Sequence, residues 1–444
     1  MSGKGDAAYM KKPTERLIFH IDVNSAFLSW EAARRVAAGG DDLRLVPSAV
    51  GGDRNNRTGV IVAKSIPAKK YGVTTGEPVG MALRKCPQLI LVRPDFRLYE
   101  KNSKAFMDIC RKYAPVVEKY SIDECFLDMT GTGLLYPDPI AAAHMIKDEI
   151  RDTLGFTVNV GIAPNKLLAK MASDFEKPDK VHTLFQDEIA SKMWPLPVRD
   201  LFGVGRAAAA RLEKSYIFTI GDLARTPVTR LNSIVSGKAG RQIHNFANGI
   251  DDSPVLSQSE QTKGYSNSTT LAADVTDRAE AHRILLALSD SVATRMRVDG
   301  VKAYCVSVSI RSSDFHNSSH QKKLSEATDI TDEIHRVACA LFDELWDRRT
   351  PLRLLGLALT DLDDGSAVQQ SLFHDEKKER DRDLDAAVDS IRKMFGSDTI
   401  NRGSVIASGA GARIGRKHRA QFENRRASDS ADDTPGKKNE PDDM

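Results

Sequence analysis

Asp123 and Glu124 stand side by side in the stretch Tyr120-Ser121-Ile122-Asp123-Glu124-Cys125-Phe126-Leu127-Asp128. Val116 and Val117 precede them, and Phe126, Leu127 and Met129 follow. This pattern predicts a hairpin with its acids at or near the turn. Two adjacent carboxylates among apolar neighbours are costly to bury unless each has a partner charge. A divalent cation serves both at once. Oxygen ligands favour magnesium, which keeps positions open for water and phosphate. Neighbours on a regular strand point to opposite faces, so the pair can share an ion only where the backbone bends. Two solvated turn acids would give the same pattern. A third acid, Asp22, ends the apolar run 17–22. A predicted helix follows, carrying Ala26, Phe27, Trp30, Ala33 and Ala37, with Asn24 or Ser25 as its cap. Asp22 is thus placed to reach a ligand, although alone it reads first as an ordinary cap or turn residue. Lys64, Lys69 and Lys70, around Pro67, would suit a triphosphate beside such a carboxylate site, or form a solvated basic loop.

The chain that must position these residues has 444 residues, enough for roughly two to four domains with sizeable cores. It has no run of about 18 apolar residues that would span a membrane. The opening MSGKGDAAYMKK lacks the apolar centre of a signal peptide. Cys86, Cys110, Cys125, Cys305 and Cys339 show no paired spacing. They predict reduced thiols in a cytoplasmic protein rather than disulfides or a zinc site. A net charge of +3 does not announce nucleic acid, but the charge is uneven. Residues 195–250 carry eight Lys/Arg against three Asp/Glu, and residues 402–426 carry seven against one.

Strands are expected at 60–63, 89–92 and 156–162, and helices at 81–86, 101–113 and 139–154. This order suits an α+β sheet layer. A helix after Pro164 carries Lys166, Lys170 and, at its end, Lys177 before Pro178. Pro195 and Pro197 mark a boundary. Gly203-Val204-Gly205 then lies between two predicted helices, as in a helix-hairpin-helix, whose free N–H groups bind phosphate without reading bases. Arg206 and Arg211 add charge, and a plain helix turn is the alternative. Residues 251–262 read as a polar linker. From 263 to 363 the expected order is β-α-β-β-α-β, a split βαβ module. On the strand at 301–311, Tyr304, Val306, Val308 and Ile310 share one face. Cys305, Ser307, Ser309 and Arg311 share the other, which would suit a phosphate backbone. Residues 262–363 hold 13 basic and 15 acidic groups, so any such surface is one face only. Gln369, Leu372 and Phe373 have the make-up of a short docking peptide. A helix is expected at 377–395, with Leu384, Val388, Ile391 and Phe395 on one stripe. Residues 403–444 have the composition of a disordered tail.

Five segments together resemble the Y-family (translesion) DNA polymerases, of the bacterial DNA polymerase IV kind: HIDVNSAF (20–27), AKKYGVTTGEPVGMALRKCP (68–87), YSIDECFLDMT (120–130), VGIAPNKLLAKMASDFEKP (160–178) and LFGVGRAAAARL (201–212). The resemblance runs in order over about residues 17–395. It implies a right-hand polymerase: a flexible N-terminus (1–16), a palm (17–30 and 88–194), fingers (31–87), a helix-hairpin-helix thumb (195–250), a linker (251–262) and a little finger (263–363). A clamp-binding peptide and helix (364–402) and the tail would follow. Asp22, Asp123 and Glu124 would be catalytic and hold two Mg2+ ions, assisted by the Val23 carbonyl. Two metals about 3.5–4 Å apart clamp the attacking and leaving oxygens of an in-line displacement. Phe27 matches the steric gate that excludes a 2′-hydroxyl, while also reading as a core aromatic. Lys177 matches a triphosphate-binding lysine, and Lys69 stands where the family usually has Arg, keeping charge but not the bidentate fork. Ile66 replaces a Tyr, and Asn24 stands where the family often has Asp. Gly203, Val204, Gly205, Arg206, Ser307, Ser309 and Arg311 would meet primer-template DNA. Gln369, Leu372 and Phe373 would meet a sliding clamp.

The expected activity is template-directed addition of dNTPs with low fidelity, by a cytoplasmic monomer that copies damaged DNA. A non-catalytic DNA- and clamp-binding protein is a competing reading, disfavoured because all three acids are present. A nucleotide cyclase is another, disfavoured because it needs no grip on a duplex.

Overall fold

The computed structural model describes residues 16–52, 59–257, 262–363, 376–396 and 399–403. The expectations for the N-terminus before residue 16, the peptide carrying Gln369, Leu372 and Phe373, and the tail from 404 lie outside the described residues. Two compact units are formed, one by the described residues up to 257 and one by those from 262 onward.

In the first unit β1 (Ile18–Val23) leads into α1 (Ala26–Ala37). A small sheet follows, made by β2 (Ser48–Gly51), β3 (Ile61–Lys64) and β4 (Ile90–Val92) in the order β3-β2-β4, with α2 (Ile66–Lys70) and α3 (Val79–Lys85) between its last two strands. The long α4 (Phe96–Tyr113) reaches the hairpin of β5 (Val116–Lys119) and β6 (Glu124–Asp128). Then come α5 (Pro139–Leu154), β7 (Val158–Ala163), α6 (Lys166–Ser173) and β8 (Val181–Thr183). The main sheet has the order β5-β6-β1-β7-β8, with β1 antiparallel to both neighbours.

Strand alternation divides the chemistry. Phe19, Ile21 and Val23 of β1, Cys125 and Leu127 of β6, and Val158, Val160 and Ile162 of β7 belong to one core with residues of α1, α4 and α5. Ile18, Phe126 and Ala163 belong to a second core with α6. His20 and Asp22 share their strand face with Ile18, as Glu124 does with Phe126. The acids therefore lie on the α6 side of the sheet. Gly161 lets α6 approach: a Cβ there would stand 1.9 Å from the Ala169 carbonyl oxygen and 2.5 Å from the Ser173 nitrogen.

Four helices follow: α7 (Arg206–Lys214), α8 (Ile220–Arg225), α9 (Val228–Ile234) and α10 (Gly237–Ala247). Residues 251–256, read as linker, are tied to this unit. Asp251 accepts from the Leu167 N–H at 3.1 Å, and the Leu256 N–H donates to Glu118 at 2.8 Å.

The second unit follows the expected β-α-β-β-α-β order: β9 (Gly264–Val275), α11 (Arg278–Val298), β10 (Lys302–Ser312), β11 (Asn317–Thr328), α12 (Thr331–Leu345) and β12 (Leu352–Asp363). All sheet pairings are antiparallel in the order β11-β10-β12-β9, so β9 and β10 run parallel with β12 between them, a split βαβ. A final helix, α13 (Glu376–Phe395), belongs to this unit.

Several local expectations are corrected. Neither Asn24 nor Ser25 caps α1 through its side chain. Ser25 is left-handed at φ 48°, and Ser29 Oγ donates to the Asn24 carbonyl instead. Lys177 is not on α6, which stops at Ser173. The short helix directly ahead of Gly203 is a 3-10 turn, Val198–Asp200. Tyr304 does not share the core face of β10. It is half-buried outside that core, whereas Ala303 joins Val306, Val308 and Ile310 there. The apolar stripe of α13 is buried only in part, with Val388 and Ile391 half-buried. Leu384 and Phe395 are 54% and 69% exposed, whereas Asp385 and Arg392 are buried. The helix docks through charges: Arg297 meets Asp385 at 3.1 Å and Asp389 at 2.7 Å, and Arg392 meets Asp290 at 2.9 Å.

Candidate active site

The site begins with register. Asp22, one residue short of the end of β1, is paired with Glu124, the first residue of β6, and the Val23 N–H donates to the Asp123 carbonyl at 3.0 Å. The bend that adjacent acids require is the turn itself: the Tyr120 and Ser121 N–H groups both donate to the Glu124 carbonyl, each at 3.1 Å. Asp22 and Glu124 thus face each other across two strands. The Asp123 carboxylate is held away at the turn, where it accepts from the Ser121 hydroxyl at 2.6 Å.

Each facing carboxylate has a lysine. Lys177 meets Asp22 and also Asp174 at 2.8 Å. Lys170, on α6, meets Glu124 at 2.7 Å. Burial pushes the Asp22 carboxyl up to about 6, and the Lys177 ammonium only partly offsets it. Burial also pushes Glu124 up, but the His20 ring and the Lys170 ammonium outweigh it and bring the group down to about 2. Of these two, Lys170 makes the contact with hydrogen-bond geometry, since His20 Nε2 is 3.6 Å from Glu124. The His20 pKa is itself lowered, with burial the largest cause, and its Nδ1 is 2.8 Å from the Ser173 hydroxyl.

The donor set fits a hard divalent cation: two carboxylates registered across a strand pair, each held by a lysine ammonium whose charge a cation would replace. Asp123, at the adjoining turn, has one carboxylate oxygen on the Ser121 hydroxyl. Among the described residues no three His, Cys, Asp or Glu side chains already close into a metal cage.

Phe27 stands on the first turn of α1, half-buried. Its ring stacks on Tyr99 at 4.7 Å, with Trp30 at 5.7 Å and Phe96 at 6.3 Å. Tyr99 is fully buried and donates to Glu31 at 3.0 Å. Phe27 is therefore both a core-backed ring and a partly open one. On α2, Lys69 and Lys70 are exposed, as is Ile66 at 56%. The Lys64 pKa is lowered by burial and by the charge of Lys69, so those two amines are electrostatic neighbours.

In the glycine turn, Gly203 has φ +87°, which favours glycine, and Gly205 is the N-cap of α7. Val204 is 8% exposed and anchors the turn, leaving Gly203, Gly205 and Arg206 outward. In the second unit Ser307, Ser309 and Arg311 share the sheet face away from its core, with Arg311 Nε donating to Asn317 at 2.7 Å. Gly356 lies opposite Ser309 on β12, and a Cβ there would meet the Ser309 hydroxyl at 2.5 Å.

Sequence reasoning did not give Lys170 a role at the carboxylates. Its position four residues after Lys166 was visible, but its contact with Glu124 spans 46 residues of chain and depends on the close approach at Gly161.

Three family models match in order: the impB/mucB/samB family over residues 21–174, the DNA polymerase-iota thumb domain over 199–251, and the impB/mucB/samB family C-terminal domain over 262–372. The chain is 46% identical over 394 residues to a DNA polymerase IV of Clostridium acetobutylicum, covering 88% of this chain and 98% of that one. It is 38% identical over 400 residues to a DNA polymerase IV of Clostridium kluyveri, again covering 88% and 98%. A solved Y-family DNA polymerase chimera superposes with a TM-score of 0.68 at 25% identity, over 78% of this chain and 98% of the other. This right-hand polymerase fold and these relatives place the chain in one family: it belongs to the Y-family translesion DNA polymerases, in the DNA polymerase IV group.

Proposed function

We propose that this DNA-directed DNA polymerase adds dNTPs to a primer 3′ end by two-metal nucleotidyl transfer, with low fidelity and on damaged templates. The observation that carries the reading is the register of Asp22 with Glu124, with Asp123 beside them at the turn. Two magnesium ions, when bound, would lower the charge cost at the attacking 3′-oxygen and at the leaving pyrophosphate oxygen. Asp22, Asp123, Glu124 and the Val23 carbonyl would hold them. Lys170 and Lys177 neutralise the carboxylates in their absence. Lys177 would then serve the triphosphate, joined by Lys69 and its neighbour Lys64. Phe27 would close on the sugar and exclude a 2′-hydroxyl, buttressed by Tyr99. Residues 17–30 and 88–194 would act as palm, 31–87 as fingers, 195–250 as thumb and 263–363 as little finger. Backbone N–H groups at Gly203–Arg206 and the face of Ser307, Ser309 and Arg311 would hold the duplex by its phosphates. The protein would work as a cytoplasmic monomer and dock on a sliding clamp through Gln369, Leu372 and Phe373.

Primer extension with magnesium tests the core of this reading. Asp123→Ala and Asp22→Ala are expected to lose extension by on the order of 10^3-fold or more while keeping duplex affinity. Full activity in either variant overturns it.

A further inference from the structure

Two buried amides lie behind Lys177. Asn24, just past the end of β1, is 7% exposed, and Asn159, on β7, is fully buried. Asn24 Nδ2 donates to Asn159 Oδ1 at 3.0 Å. Asn24 Oδ1 accepts from the Asp179 N–H at 2.9 Å and from the Thr157 hydroxyl at 3.0 Å. Asn159 Nδ2 donates to the Ser173 carbonyl at 3.0 Å and the Glu176 carbonyl at 2.6 Å. Asn159 Oδ1 also accepts from the Lys180 N–H at 3.3 Å.

The orientation of each amide follows from its partners. Turning Asn159 over would set its oxygen against two carbonyls, which cannot donate. Turning Asn24 over would set its NH2 against the Asp179 N–H and leave Asn159 Oδ1 facing another oxygen. The pair therefore has one arrangement, and in it the chain is gripped at Glu176 on one side of Lys177 and at Asp179 and Lys180 on the other. Asp179 is left-handed, at φ 62°, a conformation that needs its surroundings to hold it. Asn24 holds its N–H, and Lys147, itself 5% exposed, holds its carboxylate at 2.9 Å.

We propose that Asn24 and Asn159 form an amide clamp that positions Lys177 for the triphosphate of an incoming dNTP. They are positioning residues: they act through the backbone on either side of Lys177 and touch no reacting atom. The inference rests on the reading of Lys177 as a triphosphate ligand. The geometry requires an amide, not a carboxylate, at position 24. An aspartate keeps the bonds from Asp179 and Thr157 but sets an oxygen against Asn159 Oδ1, and Asn159 cannot turn to answer it.

The test is steady-state insertion of one dNTP on a primer-template, with Kd for a non-hydrolysable dNTP analogue on the protein–DNA complex as a second readout. Asn24→Asp is expected to raise KM and Kd for the nucleotide on the order of ten-fold, with kcat changed far less. Asn24→Ala, which leaves room for a water and adds no repulsion, should move the same way by less, and thermal unfolding verifies that both are folded. Lys177→Ala should raise KM at least as much, and Asn24→Asp added to it should change KM no further. Unchanged KM in the folded Asn24 variants, beside a raised KM in Lys177→Ala, overturns the clamp alone. Additive effects in the double variant also overturn it, since the amides would then act by another route. Unchanged KM in Lys177→Ala overturns the triphosphate reading of Lys177, and the clamp with it.

Discussion

Phe27 illustrates how much one side chain can be asked to do. Its stack on Tyr99, itself fixed by Glu31, backs the ring from the core, while the side chain stays partly exposed. Phe27→Ala should therefore relax sugar choice. The preference for dNTP over rNTP, measured as a ratio of kcat/KM, is expected to fall on the order of 10–100-fold. An unchanged ratio in a folded variant would return Phe27 to a purely structural role. The carboxylates show the same economy. Asp22 and Glu124 differ in proton affinity, about 6 against about 2, because Asp22 is more deeply desolvated while Glu124 has both Lys170 and His20 beside it. Spacing in the sequence marked both acids but could not tell them apart.

Among elements, the contact of β7 with α6 is the tightest constraint on the site. Gly161→Ala places a methyl on the Ala169 carbonyl, and only backbone movement relieves it. The variant is expected to lose about 3 kcal/mol or more of stability, read from denaturant unfolding. A loss under about 0.5 kcal/mol would show that α6 adjusts freely. In the second unit α11 and α12 are joined at Asp343, which accepts from Arg278 Nε at 2.7 Å and lies 3.0 Å from His282 Nε2. The Arg278 hydrogen bond, outweighing burial and aided by His282, holds the Asp343 carboxyl below its ordinary value. A depressed carboxyl stabilises the fold above its unfolded pKa of about 3.9, and this contribution disappears as pH falls through the folded value. Asp343→Asn should thus unfold at a lower temperature than the parent at pH 7, with the gap closing below about pH 4. The effect is small, since the Arg278 side chain is half exposed and the pair is screened by water. A gap that does not change with pH would assign the difference to packing.

At the scale of the whole molecule, each unit has its own core, and the proposed clamp-binding peptide follows β12 in the sequence. Replacing Leu372 and Phe373 together with Ala should shorten products on clamp-loaded templates and leave basal extension unchanged; equal loss in both assays would remove the docking assignment. The sequence by itself determined much of this protein. Periodicity placed α5 at 139–154, alternation placed the strands, turn residues and flanking apolar runs marked the hairpin of Asp123, and five ordered segments carried the family resemblance. These are local properties, set by neighbours within one turn or one strand. Tertiary structure decided the rest. The pairing of Glu124 with Asp22, the arrival of Lys170 at Glu124, and the amide clamp from Asn24 and Asn159 to the backbone around Lys177 all join residues far apart in the chain. The placing of Tyr304 outside the core and the ion pairs that bury the polar side of α13 are likewise decided by other elements. Hydrophobic pattern predicts which side of an element is buried when burial is driven by apolar area. It is silent when charge partners supplied by another element offset the desolvation of Asp385 and Arg392.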